Sequence, residues 1–367
     1  MLWAEWYGCK RNHFPTAYHN SPLPARTRPS VNRPLFMNDP ENAPGQHNDQ
    51  EVRDQSSTLT PGIAGRSSAG ALPLWGIGGA KDRLIAFGVV LLYALIFTAL
   101  ARFVGFLLFV ATRRLPGAVT NVIGEIWLAL CAIGATFILA KLERRTFLSY
   151  GFGDRFAGPR FLWGVLWGFL ALSLFLLGLR LTQHYYFGTP GIHGTEVVRY
   201  GLTYIVLFLA VALFEESLTR GYALFRLSEA IGFWPAVILL SIVFGSGHLA
   251  NRGESIFGVI AAGLFGVVIA YSIFRTGSLW WAIGFHFMWD YSESFIYGVP
   301  DSGFVAPGHF LNSQFSGPAW ITGGSVGPEG SYFILIVLAA LAVVIHLTLP
   351  GSKAAQWTTE VQRHGEV

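Results

Sequence analysis

Charge is the scarcest property of this sequence: Asp, Glu, Lys and Arg make up 13% of its 367 residues, and the formal net charge at pH 7 is +4. That balance does not support a nucleic-acid partner, because binding a phosphate backbone rests on clustered Lys and Arg. In an apolar chain such sparse charge is loop charge that sets orientation. Cysteine is nearly absent: Cys9 and Cys131 stand far apart with no CxxC spacing, which excludes a disulfide framework and a thiolate metal site. No HExxH occurs, so a zinc protease with two histidines on one helix is not indicated. There is no fixed-period repeat of the solenoid kind. The apolar start Leu2-Trp3-Ala4 is cut by Glu5 and follows no basic segment, which argues against a cleaved signal peptide.

Apolar surface is abundant instead. Hydrophobic residues make up 52% and aromatics 15% of the chain, and the mean hydropathy is +0.47. A soluble domain of ordinary composition is not this apolar, so an integral, multi-pass membrane protein is expected, with the lipid bilayer as its first partner. Residues 1–76 are rich in Pro, Asn, Ser, Arg and Gly and lack apolar periodicity, which predicts a disordered tail. Met37, followed by polar residues, offers an alternative start of translation.

From residue 84 to residue 349, apolar windows of about 20 residues recur, each long enough to cross a hydrocarbon core of about 30 Å. About eight are expected, at 84–110 (with Arg102 inside), 118–140, 161–182, 203–225, 234–250, 256–274, 278–298 and 332–349, with a short tail over 350–367. The expected fold class is therefore all-α, a polytopic bundle with an intramembrane active-site cavity. Lys141, Arg144, Arg145, Arg155, Arg160 and Arg275 fall on one side of this arrangement and fewer basic residues on the other. The bias predicts a cell-membrane protein with both termini in the cytoplasm and the 298–330 linker outside. Glycines such as Gly245, Gly247, Gly258, Gly263 and Gly266 suit close helix approach in lipid.

The stretch at 208–226 organises the rest, because Phe214-Glu215-Glu216-Ser217-Leu218-Thr219-Arg220 interrupts an otherwise apolar helix. A charged side chain near a bilayer centre costs about 2.5–3.5 kcal/mol on insertion scales, so three of them point to pairing or function. Glu216 and Arg220 are four residues apart on one helix face in the acid-first order for an ion pair, while Glu215 is rotated about 100° away. One glutamate can be neutralised by the arginine and the other left for chemistry.

Two further spans carry polar groups, Phe244-Gly245-Ser246-Gly247-His248 and His286-Phe287-Met288-Trp289-Asp290. His286 and Asp290, four apart, share a face that a bundle can turn toward Glu215 and His248. With about 1.5 Å of rise per residue, Glu215, His286 and His248 lie roughly 15, 12 and 22 Å deep. A carboxylate with two imidazoles suits peptide-bond hydrolysis: the glutamate takes a proton from water, and the partners orient that water or stabilise the oxyanion. The same set could instead hold a divalent metal such as zinc that acidifies the water, with Glu215, His248 and His286 as candidate ligands. The two-His spacing on one helix that pre-organises such a site is lacking, so the metal-free alternative is preferred.

These three motifs, EExxxR at Glu215-Glu216…Arg220, FxxxH at Phe244…His248 and HxxxN/D at His286…Asp290, resemble in order and spacing those of the CAAX protease and bacteriocin-processing (CPBP, or Abi) family of intramembrane endopeptidases. The resemblance covers about 149–297. It implies that Glu215 is the water-activating base, that His248 works with it, that His286 and Asp290 form the oxyanion-stabilising or ligating side, and that Glu216 and Arg220 are a supporting pair. Position 290 is Asp where the eukaryotic prenyl-protein endopeptidases carry Asn, and a carboxyl group donates to an oxyanion only when protonated. The implied substrate is a peptide or protein at the membrane. A prenylated CAAX tail, a peptide pheromone, a bacteriocin leader and a membrane-protein loop all fit.

Other readings compete. The fold could serve a non-catalytic peptide-binding, immunity or scaffold protein, but a binder has no need of a base and two imidazoles at membrane depth. A proton-coupled transporter using Glu215 and Glu216 would show corresponding broken spans in two halves, and none is evident. Gly151-Phe152-Gly153-Asp154 spells the GxGD of aspartyl intramembrane proteases, but Arg155 and Arg160 place Asp154 at the interface. Asp290 could be a counter-ion to Arg220, Phe244 reads as packing, and Glu229, Glu254 and Glu293 read as solvated or interfacial residues at span edges.

Overall fold

The computed structural model describes residues 79–350 apart from 116 and 252; the tails expected at 1–76 and 350–367 lie outside the described residues except for Pro350. The chain runs through α1 (Ala80–Thr112), α2 (Gly117–Leu142), α3 (Ala157–Leu181), α4 (Thr195–Arg220), α5 (Tyr222–Ile231), α6 (Phe233–Gly247), α7 (Ile256–Thr276), α8 (Trp280–Tyr291), the single-turn α9 (Ala319–Thr322) and α10 (Ile334–Thr348). The strands are β1 (Tyr185–Tyr186) and β2 (Gln314–Phe315), which pair antiparallel with Tyr185 opposite Phe315. The fold is all-α, and the chain is a multi-pass membrane protein.

Six helical segments among the described residues are long and apolar enough to cross a membrane, the first spanning Ala80–Thr112 and the fourth Thr195–Ile231. Large apolar side chains on them point outward: Leu84 and Phe103 on α1 and Leu181 on α3 are all highly exposed. Such surface is stable against lipid and not against water. α1 passes unbroken through Arg102, and its 33 residues exceed what a perpendicular crossing needs.

The other two expected spans are occupied by α8, continued by a π-helical turn at Ser292–Tyr297, and by α10. α8 has 12 residues, nearly all of them buried, including Trp281, Phe285, His286, Trp289 and Asp290. Its apolarity therefore faces other helices rather than lipid. The expected 203–225 span also differs in detail, starting at Thr195 and breaking at Gly221. Gly221 turns the chain with φ −81° and ψ −123°, and a Cβ there would meet the Ser217 carbonyl oxygen at 2.4 Å. The break ends α4 one residue after Arg220.

Backbone contact, not side-chain bulk, seats α8. A Cβ added at Gly164 of α3 would stand 2.2 Å from the Trp281 carbonyl oxygen, and one at Gly284 of α8 would stand 2.2 Å from that of Phe161. Glycine is thus required on both sides of this crossing, two residues before His286. Of the glycines named from the sequence, Gly245 and Gly263 press α6 against α7, with a Gly245 Cβ only 3.0 Å from the Gly263 nitrogen, whereas Gly247 has open space around it.

One end of the bundle is tied by charge. Arg145 donates to Glu229 at 2.6 Å, Arg226 donates through Nε to Glu143 at 2.9 Å and also pairs with Glu229, and the Tyr150 hydroxyl donates to Glu143 at 2.9 Å. Glu229, expected to be solvated or interfacial at a span edge, is a shared acceptor that holds α5 to the end of α2. Asp154 pairs with Arg160.

Replacing Gly284 with alanine is expected to lower the melting temperature of the purified protein by several degrees, since overpacking costs roughly 1–3 kcal/mol. Gly178→Ala serves as control, because nothing lies within 4 Å of a Cβ there. Equal melting temperatures for the two variants, read by thermal unfolding in detergent, would contradict this packing.

Candidate active site

The last turn of α4 carries two adjacent glutamates with different surroundings. Glu216 is fully buried at 0% exposure. Its Oε1 accepts from Arg220 Nη1 at 2.5 Å and from His286 Nδ1 at 2.8 Å. Glu215, about 100° around the helix, keeps 16% of its side chain exposed and lines a cavity of about 300 Å³. The Glu215 carboxylate is 3.7 Å from His286 Nε2, beyond hydrogen-bond range.

Arg220 is held from several sides. Its guanidinium lies over the Phe244 ring, Cζ 4.5 Å from the centroid. Gly266 leaves it room, since a Cβ there would be 2.8 Å from Nη2. Phe244 therefore does more than fill space: it caps the cation, and its ring is 4.9 Å from that of His248. Arg220 pairs with Glu216 and not with Asp290.

His286 sits among three carboxylates. Nδ1 is committed to Glu216, and Nε2 faces Glu215 at 3.7 Å and Asp290 at 3.5 Å. Asp290 is buried, one turn along α8, and lines the same cavity. His248, at the end of α6, is half-buried on the cavity wall. Its Nδ1 lies 3.0 Å from the Phe244 carbonyl oxygen. A carbonyl only accepts, so the proton of a neutral ring sits on Nδ1 and the Nε2 lone pair is free. The structure thus brings Glu215, His248, His286 and Asp290 to one cavity, with Glu216 and Arg220 behind them.

Among the described residues, the group whose ligand atoms all lie within 4.8 Å of one another is Glu293, Asp301 and Glu329, not Glu215, His248 and His286. His286 Nδ1, bonded to Glu216, leaves Nε2 as the available donor of that ring, and no step below is routed through a metal ion.

Several residues around the site were either not singled out from the sequence or read there as solvated or interfacial. Glu125 of α2 is buried, and its Oε2 has no hydrogen-bond partner. An acid in the middle of an apolar window was the available signal. Asn251, Glu254, Asp301, Ser302 and Glu329 also line the cavity. Glu254, at the mouth of α7, is not simply solvated: burial holds its carboxyl above the usual range. Glu293 requires the larger correction. Expected at an interface, it has 0% exposure, because the helix continues past it as a π-turn and the 298–330 connection folds back over it.

Residues 198–292 match the family model described as type II CAAX prenyl endopeptidase Rce1-like. The matched stretch runs from the first turn of α4 just past α8, contains all three motifs and bears out the resemblance, over a shorter range than 149–297. No curated protein matches the chain, and no solved structure does.

Arg220→Met strands the buried Glu216 charge and is expected to cost roughly 3–5 kcal/mol of stability. Adding Glu216→Gln removes that charge while retaining a hydrogen-bonding group for His286, so the double variant should be the more stable of the two. Thermal unfolding of both in detergent checks this; a double variant less stable than Arg220→Met would mean the pair is not coupled.

Proposed function

We propose that this chain, similar through its central helices to the type II CAAX prenyl endopeptidases, is an intramembrane endopeptidase that hydrolyses a peptide bond with water activated by Glu215. The observation that carries the reading is the division between the two glutamates. Glu216 is consumed by Arg220 and His286 Nδ1, which leaves Glu215 as the carboxylate of the motif with free oxygens on the cavity.

The reaction follows from the groups around that space. Water, donating to Glu215 and to the free Nε2 of His248, attacks the scissile carbonyl carbon as its proton passes to Glu215. The carbonyl electron pair moves to oxygen, on the side of His286 and Asp290. Asp290 contributes a donor there when it carries a proton. Collapse of the tetrahedral intermediate breaks the C–N bond, and Glu215 returns the proton to the leaving amine. Glu216 takes no part in proton transfer and fixes the His286 ring through Nδ1. The chemistry needs only the base, the two imidazoles and the donor at position 290.

The cavity lining suits a substrate with apolar flanks. Phe97, Phe208, Val211, Phe244 and Phe265 contribute to its walls, so a lipidated or membrane-embedded peptide can enter without exposing polar backbone to lipid. A prenylated CAAX tail is the substrate class favoured by the family match. The excess of Lys and Arg on one set of loops supports a cell-membrane protein with both termini in the cytoplasm.

Glu215→Gln keeps shape and hydrogen bonding but accepts no proton, and is expected to lower kcat on a farnesylated CAAX peptide by at least about 10²–10⁴-fold. Asp290→Asn, whose amide donates at any pH, is expected to retain cleavage. Wild-type turnover by purified, folded Glu215→Gln would overturn the mechanism.

A further inference from the structure

The reaction leaves one group of ionisable side chains on the cavity without a task. Asp301 and Glu329 line the cavity, and with Glu293 behind them their ligand oxygens all lie within 4.8 Å of one another. Acidic groups often gather on surfaces without consequence, but this one has a buried member. Glu293 has 0% exposure and neither carboxylate oxygen has a hydrogen-bond partner. The Trp289 indole one turn earlier makes no hydrogen bond to either oxygen. No Lys or Arg among the described residues pairs with any of the three. A carboxylate buried with no donor costs several kcal/mol unless something neutralises it.

We propose that Glu293, Asp301 and Glu329 form a binding site for a hard divalent cation, calcium in the first place, which pins the 298–330 connection to the end of α8 beside the catalytic cavity. The donors are all oxygens, which excludes the nitrogen and sulfur preferences of zinc and copper. Calcium oxygens stand about 2.3–2.6 Å from the ion and so up to about 5 Å from each other, which accommodates a 4.8 Å spread. Ser302, whose hydroxyl donates to Glu329 at 2.5 Å, and cavity water can complete a shell of six to eight.

The backbone is arranged to present these oxygens. Asp301 and Phe304 exchange backbone hydrogen bonds at 2.9 and 2.8 Å around Ser302 and Gly303, both at positive φ, as in a type I′ turn. The Gly303 amide donates to the Val326 carbonyl at 2.9 Å, which brings the Glu329 turn alongside. Gly327 permits this approach, since a Cβ there would meet the Pro300 carbonyl oxygen at 1.9 Å. Ser294 of the π-turn donates to Asp301 Oδ2 at 3.1 Å. π-Helical turns cluster at functional sites, and this one aims Glu293 inward. Protons and a cation compete for the same carboxylate oxygens, so binding weakens as pH falls.

The test uses the purified full chain in detergent, stripped with EDTA, freed of chelator and titrated with calcium chloride at pH 7.5. Wild type is expected to bind about one calcium per chain by isothermal titration and to gain about 5 °C in melting temperature at saturation. Asp301→Asn and Glu329→Gln are expected to melt no lower than stripped wild type, because each removes repulsion, and to gain nothing from calcium. Glu215→Gln is expected to keep the full calcium response, so the site stands or falls apart from the cleavage reaction. A wild type indifferent to 10 mM calcium would overturn the proposal and leave three carboxyl groups sharing protons. An undiminished response in both Asp301→Asn and Glu329→Gln would also overturn it, by placing the ion elsewhere.

Discussion

One buried carboxylate oxygen ties the active region together. Glu216 Oε1 accepts from Arg220 at 2.5 Å on its own helix and from His286 at 2.8 Å on α8. A charge taken out of water needs partners, and while Glu216 Oε2 has none, this oxygen meets two donors at once. The contact sets the rotation of α4 against α8, orients the His286 ring and leaves Nε2 aimed at the cavity. It also explains why the sequence carries two glutamates in a row. A single carboxylate cannot be both the fixed acceptor of an ion pair and a free base, and adjacent positions on a helix differ by about 100°, enough to put one against protein and the other on open space.

That contact needs close geometric tolerance, and the glycines at the α3–α8 crossing supply it. With Cβ atoms excluded at Gly164 and Gly284, backbone meets backbone, and the height of His286 is fixed by main-chain contact rather than by adjustable side chains. The break at Gly221 has a related role. It ends α4 directly after Arg220, so that α5 turns away with its own polar edge, where Glu229 joins the Arg145 and Arg226 network. Between these two constraints the Glu215–Arg220 turn can shift little.

Much of this was legible in the sequence and the remainder has identifiable physical reasons for being hidden. The six long helices lie where apolar windows of about 20 residues placed them, because a helix facing lipid must be apolar along its length, whereas the apolar window at α8 reflects burial against other helices. The Glu216–Arg220 pair followed from four-residue spacing alone. The Glu216–His286 bond did not, since it joins positions 70 apart and depends on how two helices are rotated. Glu293 was misplaced for a different reason: a linker rich in Gly, Pro, Asn and Ser reads as solvated, whereas here it returns over the end of α8, the Phe310 and Leu311 amides donating to the Phe295 and Ile296 carbonyls, and its strand β2 pairs with β1. Asp301 and Glu329 belong to that same linker, and nothing local marks them as neighbours of Glu215's cavity.

Water and an apolar substrate must both reach Glu215, and the distribution of polarity around the cavity reconciles the two demands. The walls built by α1, α4 and α7 are largely aromatic and aliphatic, with Phe97, Phe208 and Phe265 among them, while the polar residues gather toward His248, Asn251, Glu254 and the 301–302 turn. An extended peptide can therefore lie with its apolar part against the first set of walls while its scissile bond meets water drawn from the second. The polar side is also where the chain is held by a folded connection rather than by a membrane-spanning helix. Its order then depends on how the three carboxylates there are neutralised, so the shape of the hydrated side of the cavity is linked to cation and proton concentration while the apolar side is fixed by helix packing.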